Sequence, residues 1–338
     1  MQGLTMVSYA FAELLDNALD EVRSGAYVNV DMLQNRKDGR KMVVIEGNGG
    51  GMNPEMMRHC MSLGYSAKSK LANTIGQCND SPSCKIYNND GNGFKTSTMR
   101  LGADVIVFSR CGGKHCDGFT QTIGLLSYTF LKSTGKEDIV GPMLHYERSD
   151  WRKNVETLVQ WSPFSTEEDL LSQDIQHRGV NRDQKSIYMA ANNPNCRHLL
   201  THKHSLRSYV SILYLRLPPY FRIILRGKDV EHHDIVNDMM QTERKLYWPR
   251  EAARGLCNCS NVYAAVTTGF VKDAKNHVDV QDFNVYHKNR LVKSFWRVWN
   301  AAENGGHGII GVLEANFVEP AHDKQGHLIV IKSDPKSR

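Results

Sequence analysis

Glu13, Asn17 and Asp20 stand at i, i+4 and i+7 in the run Phe11-Ala-Glu-Leu-Leu-Asp-Asn-Ala-Leu-Asp-Glu-Val22. At helical spacing this gathers the groups able to handle a metal or a water on one side, while Phe11, Leu15, Ala18 and Val22 line the other. A carboxylate one turn from a carboxamide suits general-base work beside a hard cation. Glu13 would orient or deprotonate a water, and Asn17 would offer a neutral oxygen to Mg2+. A solvated acidic face on an ordinary amphipathic helix carries the same residue types, so the chemistry depends on what accompanies the helix.

Two glycine turns accompany it. Lys41-Met-Val-Val-Ile-Glu46 reads as a short apolar strand running into Gly47-Asn-Gly-Gly-Gly-Met52, a turn that few side-chain-bearing runs could form. Asn53-Pro54-Glu55 then supplies a cap, a first-turn proline and an early acid for a helix whose expected apolar stripe is Met56, Cys60 and Leu63. A polar stretch from Ser66 to Asp90 leads to Gly91-Asn-Gly-Phe-Lys-Thr-Ser-Thr98, a glycine turn expected to open a helix, and then to the strand Asp104–Ser109. Glycine turns let backbone N–H groups approach phosphate oxygens, and a lysine neutralises developing charge, the role expected of Lys95. The ensemble suits a nucleotide with a divalent metal. It is not a P-loop, because no Gly-x-x-x-x-Gly-Lys-Ser/Thr sequence is present.

These groups must be held by a chain of 338 residues, 41% hydrophobic and 23% charged, a size that predicts about two domains. Gln121–Phe130 reads as a buried segment, and the polar region from Gly135 to Arg182 carries no clear period. Beyond Thr201 the pattern turns strand-rich: Tyr209–Leu217, Phe221–Leu225, Val262–Val271, Val278–Tyr286 and Gly308–Phe317, with a helical or irregular piece around Phe295–Ala302. The expected boundary lies near residue 200. No run approaches the roughly 20 apolar residues that span a bilayer, and no signal-peptide layout opens the chain, so no membrane partner is expected. A net charge of +6 permits nucleic-acid contact without arguing for it. The eight cysteines form no paired C-x-x-C units and no complete zinc set, and are read as reduced thiols.

Glu13 with Asp16-Asn17 and Asp20, Gly49-Gly-Gly-Met52, and Gly91-Asn-Gly-Phe-Lys95 resemble the three ATP-site boxes of the GHKL superfamily, shared by gyrase, heat-shock chaperones, histidine kinases and MutL. Longer wording narrows the match. Met61–Lys70, Thr96–Val105, Arg207–Leu215 and Asn284–Leu291 resemble plant MORC (Microrchidia) ATPases, and the resemblance runs from about Phe11 to Gly326. It implies an α/β (α+β) fold: a Bergerat-type ATPase sandwich over residues 1–200, a transducer domain like that of MutL and gyrase over 201–326, and a divergent tail at 327–338. It also implies ATP and Mg2+ as ligands. Glu13 would activate water and Asn17 hold Mg2+, while Gly47, Gly49, Gly51, Met52, Gly91, Asn92, Gly93, Phe94, Lys95 and Thr96 embrace the nucleotide. A transducer lysine would reach the γ-phosphate, Lys293 first and Lys288 as the alternative. The resemblance further implies a nuclear ATP hydrolase that dimerises on ATP, alone or with MORC paralogues, contacts DNA, compacts chromatin and supports gene silencing, RNA-directed DNA methylation and plant defence. A plausible DNA-contacting cluster is Arg197, His198, His202, Lys203, His204 and Arg207.

Three departures from the family pattern bear on activity. Where the family has the aspartate that receives the adenine amino group, this chain has Gly47. Leaving that donor unpaired costs about 1–3 kcal/mol unless water or Glu46 compensates. Residues 78–90 intervene inside the nucleotide lid, between Gln77 and Gly91. Finally, the Gly-Thr-containing strand and acidic loop that family members carry between the equivalents of Leu171 and Asp174 have no counterpart, which is expected to expose a sheet edge and part of a core. The coiled coil and zinc finger expected beyond the ATPase region are also lacking, so the chain reads as a truncated or variant isoform. The alternative function is a catalytically impaired module that pairs with intact MORC partners. A histidine kinase is disfavoured because no phosphoacceptor helix precedes the boxes.

Overall fold

The computed structural model of the chain describes residues 2–20, 25–61, 93–112, 119–135, 143–144, 151–172, 205–248, 263–272, 282–297 and 308–316. They fall into two compact units: the first holds the described residues up to 172 together with 219–230, the second holds 205–218 and those from 231 onward.

In the first unit, α1 (Gln2–Asp20) buries Phe11, Ala12, Leu15 and the carboxylate-bearing Asp16. The buried stripe is thus i, i+1, i+4, i+5, and Ala18, expected on it, is partly exposed. β1 (Tyr27–Gln34) and β2 (Lys41–Gly47) form an antiparallel hairpin paired from Val28↔Gly47 to Gln34↔Lys41. Lys37, in the connecting turn, donates from Nζ to the carbonyls of Val159 (2.5 Å) and Ser162 (2.7 Å). Next come α2 (Pro54–Met61), α3 (Gly93–Leu101), β3 (Asp104–Cys111), β4 (Thr120–Ser127), α4 (Tyr128–Thr134), β5 (Met143–Leu144), α5 (Trp151–Trp161) and α6 (Glu167–Ser172).

β3, β4 and β5 form one antiparallel sheet, and alternation along β4 sends its side chains to two cores. Ile123 and Leu125 meet Val155, Leu158 and Leu170 of α5 and α6. Leu126 meets Met57 and Met61 of α2, with Phe94 of α3 against them. The α2 stripe is therefore Met57 and Met61, one residue out of phase with the expected Met56, which is 46% exposed. The unassigned region after Gly135 proves to hold α5 and α6.

β6 (Arg222–Leu225) and β7 (Lys228–Asp229) also belong to this unit. β6 pairs parallel to β1, giving the sheet order β2-β1-β6-β7, although the sequence places Phe221–Leu225 with the second part.

In the second unit, α7 (Leu206–Ser211) occupies the start of the run expected as a strand. The Ser205 hydroxyl accepts from the Ser208 N–H at 3.3 Å, capping a turn that buries Tyr209 and Val210. A 3-10 turn at Ile235–Asp238 leads into β8 (Met239–Tyr247), followed by β9 (Ala264–Val271), β10 (Asp282–His287), β11 (Arg290–Arg297) and β12 (Ile309–Ala315), in the order β11-β10-β12-β9-β8. Phe295, expected in a helical or irregular piece, lies on β11; its N–H donates to Asn284 Oδ1 at 3.1 Å. The Tyr286 hydroxyl donates to the Ile212 carbonyl at 2.8 Å, and Asn289 brackets Arg216 through its N–H (2.7 Å) and carbonyl (2.8 Å), fastening the segment after α7 to the β10–β11 hairpin.

Candidate nucleotide site

α1 packs on α3 at Glu13 and Gly93. A Cβ built on Gly93 would lie 3.1 Å from Glu13 Oε2, so the missing side chain lets the carboxylate close on the first turn of α3. The helix dipole makes the Gly93 end of α3 positive. An anion-binding helix end thus stands beside a general-base candidate.

Lys95 follows within the same turn and is only 5% exposed. Burial pushes its ammonium pKa below the ordinary lysine value, with Cys60 opposing the shift. Burial conversely pushes the Cys60 thiol up, with Lys95 opposing. The Thr98 hydroxyl donates to the carbonyls of Phe94 (2.9 Å) and Lys95 (3.1 Å), holding the turn that presents them.

The first glycine turn is clamped to β3. Gly51 has φ +71°, and a Cβ there would sit 1.8 Å from the Arg110 carbonyl oxygen, so no other residue fits without moving backbone. The Met52 N–H donates to Ser109 Oγ at 2.6 Å, and the Ser109 hydroxyl reaches the Met52 carbonyl at 3.3 Å.

Gly47 ends β2 opposite Val28. It offers no acceptor, and Glu46 does not replace one: neighbours along a strand point to opposite faces, and Glu46 Oε1 accepts from the Tyr27 hydroxyl at 3.4 Å. Asn48 is engaged as well, accepting from the Tyr27 N–H at 2.7 Å and donating to the Gly25 carbonyl at 3.0 Å.

The structure therefore brings Glu13, Gly93, Phe94 and Lys95 together, with Asn17 half-buried one turn along α1 and Thr96 exposed on α3. Gly49 is exposed in the bend after β2, and Gly51 and Met52 sit against β3. Gly91, Asn92, Lys68, Lys70 and residues 78–90 lie outside the described residues, as does the basic cluster apart from Arg207. Lys293 is half-buried on β11 and Lys288 forms the β10–β11 turn with φ +45°, both in the second unit. Sequence reasoning missed Ser109 and Arg110 as the anchor of the turn, and Cys60 as the neighbour of Lys95. A serine ending an otherwise apolar strand was the available signal for the first. Cys111 is disulfide-bonded, which corrects the reading of every cysteine as a reduced thiol. Among the described residues no three His, Cys, Asp or Glu side chains converge on a metal site, and no helix is long and apolar enough to cross a membrane.

Comparison with known proteins agrees with this geometry. Residues 4–155 match the model of the histidine kinase-, DNA gyrase B- and HSP90-like ATPases, and residues 204–331 match the Morc6 ribosomal protein S5 domain 2-like model. Protein MICRORCHIDIA 4 of Arabidopsis thaliana is 65% identical over 364 residues, covering 94% of this chain and 44% of that protein. The chain belongs to the MORC family of GHKL ATPases. Protein MICRORCHIDIA 7 of the same plant is 63% identical across 94% of this MORC chain and 50% of its own length. The mouse MORC family CW-type zinc finger protein 3 is 27% identical across 94% and 35%. The chain thus spans about half the length of the Arabidopsis relatives it matches. Since 94% of 338 residues is about 318, a match over 364 positions leaves about 46 positions of MICRORCHIDIA 4 without a counterpart here.

Family membership makes ATP the nucleotide in question. At the end expected to take the phosphates, Glu13 lies against Gly93 in the first turn of α3, and the buried Lys95 follows in the same turn beside Cys60. At the position expected to face adenine, residue 47 is glycine and carries no side-chain acceptor.

Proposed function

We propose that this MORC chain binds ATP weakly and hydrolyses it, and that the ATP-bound state dimerises, alone or with intact paralogues, on chromatin in the nucleus to support compaction and gene silencing, including RNA-directed DNA methylation and plant defence. The observation carrying the hydrolytic part is the contact of Glu13 with the first turn of α3 beside buried Lys95. The N–H groups of α3 and the Lys95 ammonium hold the terminal phosphates, and Glu13 takes the proton of a water as its oxygen bonds to the γ-phosphorus and the bond to ADP breaks. Mg2+, assigned to Asn17, supplies neutralisation of phosphate charge when bound. Lys293 is assigned to the γ-phosphate by the family resemblance, with Lys288 as the alternative.

ATP turnover by the purified chain tests this directly. Glu13→Ala is expected to lower kcat by about 100-fold or more while leaving ATP affinity nearly unchanged. Equal turnover by both proteins would remove catalysis from the account. DNA contact through basic side chains predicts affinity that falls steeply with salt, and a flat salt response in a filter-binding titration would remove it.

A second reading, a non-catalytic module that pairs with full-length MORC partners, draws support from Gly47 alone. Co-purification with a full-length paralogue in the absence of detectable ATP binding is its expected signature, and failure to pair with any paralogue would count against it.

A further inference from the structure

Two hydroxyls interrupt the apolar face that β3 and β4 turn towards α2. The ladder sets Val105 opposite Leu126, Val107 opposite Gly124, Ser109 opposite Thr122 and Cys111 opposite Thr120, so all of these share one face. Leu126, Val105 and Val107 pack with Met57 and Met61 of α2, Phe94 of α3 and Met52. A Cβ built on Gly124 would lie 2.8 Å from Met61 Cε, which places α2 directly over that row. One pair further on, the Ser109 hydroxyl is committed to the N–H and carbonyl of Met52. Thr122 is only 1% exposed, yet among the described residues its Oγ1 has no hydrogen-bond partner, and the same is true of Thr120 Oγ1. A buried hydroxyl without a partner is unfavourable, and a valine of the same shape would satisfy packing alone. Such a group calls for something that completes it. Residues directly opposite in an antiparallel pair hold their Cβ atoms about 5 Å apart, so Thr122 lies beside the point where Ser109 ties down the Gly47–Met52 turn.

We propose that Thr122 is a base-contacting residue of the ATP site, its hydroxyl donating to a ring nitrogen of the purine as the base enters beside the Gly51–Met52 turn. This rests on the ATP-binding reading above and adds a residue to it. Met52, which covers this face, is only half-buried, and its unbranched thioether can swing aside to admit the ring. The chemistry of the surroundings selects the base over the phosphates. Val107, Leu126, Met57 and Met61 suit a flat heterocycle with acceptors on its edge, whereas a multiply charged oxyanion among them would lose its hydration without a cation to replace it. A threonine hydroxyl supplies one donor, so it serves a ring nitrogen and leaves the amino group unmet. The contact therefore accounts for retained but weak binding: the base keeps a donor from β4 while residue 47 offers no acceptor.

Calorimetric binding of ATP and of inorganic tripolyphosphate, which has no base, to the full chain tests it. Thr122→Val is expected to weaken ATP about three- to tenfold, the loss of one hydrogen bond, and to leave tripolyphosphate affinity unchanged. Because the substitution removes an unpaired hydroxyl, the Tm of the ligand-free variant should be equal to that of the wild type or higher. Thr122→Ser keeps the donor and should hold ATP within about twofold of the wild type. ATP affinity indifferent to Thr122→Val would overturn the proposal, as would equal weakening of ATP and tripolyphosphate. So would a lowered Tm in the ligand-free Thr122→Val variant, which would mean that the protein itself satisfies the hydroxyl. A wild-type chain that binds neither ligand would remove the ATP-binding reading and this proposal together, whereas wild-type binding untouched by the substitution would remove this proposal alone.

Discussion

A carboxylate at residue 47 would project from the same face of β2 as Ile45, and its Cβ would need only a few tenths of an ångström from the Tyr27 carbonyl oxygen, 3.3 Å away. The site can therefore accept the side chain it lacks. Lys95 makes a different demand. Its lowered pKa means that the free protein loses the ammonium proton at a lower pH than an ordinary lysine does. Bound polyphosphate favours the charged form and raises that pKa again, so ATP binding at alkaline pH should take up a proton and weaken as pH rises through the lowered value. Calorimetry in buffers of different ionisation enthalpy reads this directly: buffer-dependent heats at alkaline pH are expected, and buffer-independent heats would place Lys95 away from the phosphates. That Glu13 and Asn17 share one helix was legible in sequence because their spacing follows the helix period. The Cys60–Lys95 neighbourhood was not, because it joins α2 to α3 across residues 62–92 and no local pattern encodes it.

At the scale of elements, the β3 strand and the glycine turn depend on each other. Replacing Gly51 with alanine drives a methyl into the Arg110 carbonyl, at a left-handed φ as well, and should cost roughly 2–4 kcal/mol. Thermal denaturation would register that as a large fall in Tm, while an unchanged Tm would mean that the turn is not clamped. The strands whose residues alternate or run apolar, such as β2, β9 and β12, could be read from sequence. α7 could not, because Tyr209-Val-Ser-Ile-Leu reads as a strand by composition while the Ser205 cap and burial of Tyr209 and Val210 impose a helical turn. β6 was recognised as a strand but not as a partner of β1: a parallel pairing between residues near 28 and near 223 leaves no trace in local periodicity.

The whole chain combines an ATPase unit with an S5-like unit, and the family resemblance made that organisation legible where composition gave only two domains. The exchange of residues 219–230 into the first unit was hidden, since a linear boundary cannot express it. We propose that the hydrolytic half of the ATP site is retained while the adenine half is not. Steady-state ATP hydrolysis by the full chain with Gly47→Asp, compared with the wild type, tests that most directly. The restored acceptor should lower KM about ten- to hundredfold with kcat nearly constant, in line with about 1–3 kcal/mol for a satisfied buried hydrogen bond. An unchanged KM, or no measurable turnover in either protein, would contradict it.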